Sequence, residues 1–83
     1  MKKEQVWSIS LRRGRDFFLS QQDISVDGCG FRCRSCRITL TALPAQGEGI
    51  FRTDRVRLTL EGSEEDIAAV YQRFFLQFLS AGG

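Results

Sequence analysis

Histidine is absent from these 83 residues. That removes the commonest general base near neutral pH, the commonest metal ligand, and every Ser-His or Cys-His arrangement. Proline occurs once and methionine once. Apolar runs are short, as in Phe17-Phe18-Leu19, whereas a helix needs about 20 such residues to cross a bilayer. Met1-Lys2-Lys3 opens like the charged region of a secretion signal, but Arg12 arrives before an adequate apolar stretch can form. Residues 1–83 are therefore expected to be one soluble domain, cytoplasmic, without membrane contact. The chain is too short to enclose a large active site, so neither enzyme activity nor a cofactor is expected.

What is present is a globular composition: 42% hydrophobic and 27% charged residues. The net charge of +2 is uneven, with residues 1–40 carrying +4 and residues 41–83 carrying −2. Ten of the twelve cations are arginine, the side chain suited to bidentate phosphate contacts and to stacking on bases. Two readings follow: a solvated sheet face, or a phosphate- or nucleotide-binding surface on the N-terminal half.

Hydrophobic patterning gives the elements. Gln5–Arg12 alternates, with Trp7, Ile9 and Leu11 on one side, as in a half-buried strand. Arg13-Gly14 reads as a turn and Asp16–Gln21 as a second strand, making a hairpin. Asp23–Gly28 is a short extended piece closing in an Asp-Gly turn. Phe31–Leu43 is the longest strand candidate, and its parity slips. A bulge at Arg34-Ser35 would put Phe31, Cys33, Cys36, Ile38, Leu40 and Ala42 inward and Arg32, Arg37, Thr39 and Thr41 outward. Pro44 to Gly49 reads as a loop, and Phe51–Glu61 as a strand with Val56, Leu58 and Leu60 inward. Ser63 then caps a helix with Asp66 at its third position. Ile67, Val70, Tyr71, Phe74, Phe75 and Phe78 make one apolar stripe over roughly 17 residues. The expected fold is α+β: a small antiparallel sheet, or partly closed barrel, of four to five strands under one C-terminal amphipathic helix. The aromatic surplus on that helix predicts core packing or a homodimer interface.

Cys29, Cys33 and Cys36 have the C-x3-C-x2-C spacing that can hold an iron–sulfur cluster, but the surrounding barrel such enzymes need does not fit here. Zinc would require Asp23, Asp27 or a second chain as fourth ligand. The reading favoured is three reduced thiols used as small apolar packing residues.

Asp23-Ile24-Ser25-Val26-Asp27-Gly28 resembles the D/N-x-S-x-x-G stretch of PilZ domains, and Arg12-Arg13-Gly14-Arg15 resembles a shortened form of that family's arginine motif. The resemblance implies a small antiparallel barrel with a C-terminal helix that binds cyclic di-GMP or another phosphorylated ligand. Arg12, Arg13 and Arg15 would hold phosphates, while Asp23, Ser25 and Gly28 would shape the opposite wall. The terminal Gly82-Gly83 also looks like the tail of ubiquitin-like sulfur carriers, although a helix rather than a strand leads into it. The function expected is a non-enzymatic binding or regulatory module. The alternative is a dimeric interaction or structural module using the aromatic helix, with nucleic acid kept open as a partner.

Overall fold

A computed structural model describes residues 1–47, 49 and 53–81 of the chain. Its elements run β1 (Lys2–Trp7), α1 (Leu11–Leu19), β2 (Ser25–Asp27), β3 (Gly30–Cys33), β4 (Cys36–Gln46), β5 (Thr53–Glu61) and α2 (Glu64–Ala81). The strands form one antiparallel sheet in the order β1-β5-β4-β3-β2. The fold is thus α+β with a C-terminal helix, as the sequence predicts. The sheet stays open, with β1 and β2 at its edges.

One element differs in kind from the reading above. Asp16–Leu19 of the strand expected over Asp16–Gln21 and the turn expected at Arg13-Gly14 both lie in helix α1, Ser20 and Gln21 follow its end, and β1 stops at Trp7. Ser10 caps this helix, its Oγ accepting from the Arg13 backbone N–H at 3.2 Å. Gly14 and Phe18 lie buried on its inner face. A helix of nine residues with a central glycine has little intrinsic stability, so burial decides its conformation. Because β1 and β2 occupy opposite edges, α1 carries the chain across the sheet.

The second difference lies at Arg34-Ser35. These residues form the turn of a β3–β4 hairpin, with Cys33 opposite Cys36, rather than a bulge in one strand. A two-residue turn preserves side-chain parity across the two strands, so the inward and outward sets come out as expected. Phe31, Cys33, Cys36 and Ile38 are buried, and Arg37 and Thr41 are exposed. Ala42 shares the inner face but is exposed. Arg34 takes a positive φ of 55°, the conformation the tight turn demands. Further along, β4 runs through Pro44 to Gln46, with an irregularity after Leu43, where a loop was expected. Phe51, Glu48 and the terminal glycines lie outside the described residues.

Helix α2 starts at the expected cap: Ser63 Oγ accepts from the Asp66 N–H at 3.2 Å. The Asp66 carboxylate meanwhile accepts from the Ser35 N–H (3.1 Å) and hydroxyl (2.6 Å), and Ser35 Oγ accepts from the Ser63 N–H (3.3 Å). The cap is therefore tied to the β3–β4 turn. Gly62, at φ 148°, makes this approach possible, because a Cβ there would run into the Ser35 carbonyl and the Cys36 backbone.

Ile67, Val70, Phe74 and Phe78 are buried, Tyr71 is half-buried, and Phe75 is exposed. Both helices cover the same sheet face, meeting where Phe18 and Phe74 stack with centroids 5.5 Å apart and an interplanar angle of 15°. Trp7 and Phe78 close around Phe74 at 5.2 and 4.6 Å. Phe74→Ala should cost about 3–5 kcal/mol in urea denaturation, a large part of a small domain's stability. A loss below about 1 kcal/mol would remove this ring from the centre of the core.

Candidate ligand-binding face

The six residues singled out above are distributed as follows. Arg12, Arg13 and Arg15 are contiguous in sequence, but a helix turns about 100° per residue, so α1 spreads them over its surface. Arg12 faces Asp16 at 3.9 Å. Arg13 lies over the Phe78 ring at 5.6 Å, on the α2 side. Arg15 leans the other way, over Phe31 at 5.3 Å, and donates to the Cys29 carbonyl at 3.4 Å.

Asp23 is engaged by both Arg73 nitrogens, at 2.8 and 2.6 Å. Those hydrogen bonds hold its carboxyl down at about 2 and raise the Arg73 guanidinium in turn. The Ser25 hydroxyl donates across the β2–β3 pair to the Arg32 carbonyl at 3.5 Å. Gly28 sits in the β2–β3 turn with φ 62°. Arg15 thus reaches the turn that contains Gly28, whereas Arg12 and Arg13 are directed elsewhere and Asp23 is committed to Arg73.

The arginines that share one surface come from the strands. With both helices on one side, the outward side chains of all five strands make a second, uncovered face. Register sets its rows. Arg32 stands opposite Arg37, Arg37 opposite Glu61, and Glu61 opposite Lys2. One row further along, Thr39 faces Thr59 and Thr59 faces Glu4; beyond that, Thr41 and Val6 flank Arg57. Arg55 follows, opposite Leu43. Sequence reading placed Arg32, Arg37, Thr39 and Thr41 outward but did not connect them with Arg55, Arg57 and Thr59 of β5, because strand register is not visible in local alternation.

These cations differ in how they are used. Arg32 pairs with Asp27 at 3.1 Å, while Arg57 and Lys2 share Glu4 at 3.9 and 3.1 Å. Arg55 donates to the Pro44 carbonyl at 3.3 and 3.1 Å, which fixes the guanidinium without neutralising it. Arg37 is exposed and has no ion pair among the described residues. Beside it lies a depression of about 350 Å³ lined by Asp27, Cys29, Gly30, Arg37, Ile38 and Thr39. Gly30 is required there, since a Cβ would meet the Ile38 carbonyl across the strand pair.

The thiols play two parts. Cys33 and Cys36 are buried, and burial pushes both thiols up from their ordinary range, away from the reactive thiolate. Cys29 is exposed at the β2–β3 turn, contrary to the packing role expected of it. Among the described residues, no group of three or more Cys, Asp or Glu side chains is placed to hold a metal ion. No described helix is long and apolar enough to cross a membrane. No protein-family model matches the chain, and no match was found among curated proteins or solved structures.

Asp23 and Asp66 give the domain an acid dependence. Both carboxyls are held low in the folded chain, Asp23 by Arg73 and Asp66 by hydrogen bonds from Ser35. The unfolded chain binds more protons between its ordinary carboxylate pKa of about 4 and these lower values, so stability rises with pH in that window. Urea midpoints should fall on acidification from about pH 4 towards about pH 2, and Asp23→Asn and Asp66→Asn should each flatten part of that fall. A profile unchanged in both variants would mean these bonds do not form in solution.

Proposed function

We propose that this chain is a non-enzymatic binding module that holds a phosphate-bearing ligand on the uncovered face of its sheet, with Arg37 as its main anion contact. One observation carries the reading: Arg37 is an exposed guanidinium without an ion pair among the described residues, at the wall of a depression that Gly30 also lines. Arginine grips phosphate oxygens through parallel N–H donors. Arg32 directly opposite and the Thr39 hydroxyl supply further donors within the same patch.

Ser25 and Gly28 border this patch through β2 and its turn, so part of the PilZ-like stretch is adjacent to it. Cyclic di-GMP is accordingly the first ligand to try, with Arg37 and Arg32 serving where Arg12 and Arg13 were expected to. The exposed thiol of Cys29 lies at the rim, where a bound ligand would cover it.

A second reading has its own support. Phe75 and Leu79 stay exposed on α2 beside the covered face, at 36% and 55%, which suits association of two copies along that helix. Light scattering would then give twice 9.4 kDa, and the monomer mass would end that reading.

The ligand proposal is tested by calorimetric titration with cyclic di-GMP, a mononucleotide and inorganic phosphate. Arg37→Ala should weaken binding by about 1.5–3 kcal/mol, the value of a hydrogen bond to a charged group. Arg12→Ala should leave it unchanged. The reverse pattern would move the site to α1, and no heat from any of the three with the protein folded would remove this face as a phosphate site.

A further inference from the structure

We infer that the ligand of this face is a single-stranded nucleic acid lying along β4 and β5, an inference that rests on the phosphate-binding role proposed above. Two guanidinium groups on the face have no carboxylate partner among the described residues, Arg37 and Arg55. Arg55 is opposite Leu43, six residues along β4 from Arg37. At about 3.4 Å per residue, that places the two positions roughly 20 Å apart. A compact nucleotide cannot engage both. A stacked strand covers the same span in about six steps of 3.4 Å.

What lies between the two arginines narrows the class. Thr39, Thr41 and Thr59 form a neutral hydroxyl floor, with Arg57 beside Thr41. Glu4 and Glu61 stand within the same rows. Polyphosphate, anionic at every unit, would offer the threonines only further phosphate oxygens and no neutral group. A nucleic-acid strand alternates anionic phosphates with neutral sugars and bases, which match spaced cations and hydroxyls.

The uncovered face is five strands wide, more than the helix or two-stranded ribbon that a duplex major groove admits. Base edges therefore meet the threonines most readily when unpaired. The described outward positions of the strands include no aromatic side chain, so the stacking platform of many single-strand binders is missing. Binding should accordingly be electrostatic and tolerant of sequence.

Fluorescence anisotropy with oligothymidylates of about 2, 6 and 12 nucleotides tests this against the span. Affinity should rise at least about tenfold from the shortest to the middle length and little thereafter. The log–log salt slope should be about −1.4, from roughly −0.7 for each phosphate neutralised by Arg37 and Arg55. Arg37→Ala and Arg55→Ala should each make it shallower by about 0.7, with circular dichroism showing both variants folded.

Equal affinity at all lengths, with Arg37→Ala still weakening binding, would overturn the strand and keep the phosphate site. So would binding of cyclic di-GMP without any binding of the oligonucleotides. A silent Arg55→Ala, or tighter binding of a duplex, would likewise overturn the inference. Failure of every phosphate-bearing probe would remove both proposals.

Discussion

The stack of Phe18 on Phe74 is the contact on which the architecture turns. One ring comes from a helix of nine residues that could not persist alone, the other from the middle of the longer helix. Phe18 also lies against Phe31 of β3, and Phe74 against Trp7 of β1. The pair therefore fastens both helices to each other and to distant parts of the sheet. Gly14 lets α1 come down onto Leu40, whose Cδ1 lies 3.0 Å from where a Cβ would be. With both helices drawn to one side, the other face is left bare, and its arginines and threonines are the consequence of that one-sided packing.

Much of this was legible in the sequence where period alone decides. The stripe Ile67, Val70, Phe74 and Phe78 and the alternation Val56, Leu58, Leu60 each have one regular solution. Helix α1 was not legible for an identifiable reason. Alternation through Val6, Ser8 and Ser10 runs past the end of β1, and Gly14 imitates a turn. The signals that oppose this are the Ser10 cap and the inward spacing of Gly14 and Phe18, and both gain weight only once Phe74 is there to receive the ring. Likewise the tie from Ser35 to Ser63 and Asp66 joins residues about thirty apart, which no local window contains.

The same physical reason governs which of the site residues expected from sequence lie together. Arg12, Arg13 and Arg15 look like a cluster because they are neighbours in the chain, and a helix disperses neighbours. Arg32, Arg37, Arg55 and Arg57 are scattered along the chain, and antiparallel register brings them onto one surface. Asp23 illustrates the complement. Its position suggested a ligand contact, yet its carboxylate is taken up by Arg73 of α2, fastening the segment before β2 to the C-terminal helix. Such a pair at the surface contributes modestly to stability in water.

The charges on the bare face do not serve folding well. Arg32 and Arg37 stand directly opposite each other on adjacent strands, an arrangement that destabilises a sheet. Asp27 compensates Arg32 only, through an exposed contact. Glu61 lies across from Arg37 but no ion pair between them is formed among the described contacts. Threonine opposite threonine at Thr39 and Thr59 would favour the strands equally well with neutral neighbours. An anion between the two guanidinium groups would turn the repulsion into two charge-assisted contacts, and a ligand that binds only the folded chain stabilises it in proportion to the logarithm of its saturation. Under the proposed binding role, the cost of juxtaposing Arg32 and Arg37 would be borne by the free protein and relieved in the complex. That coupling would give a thin, one-sided sheet a physical reason to keep two like charges where folding alone would favour one.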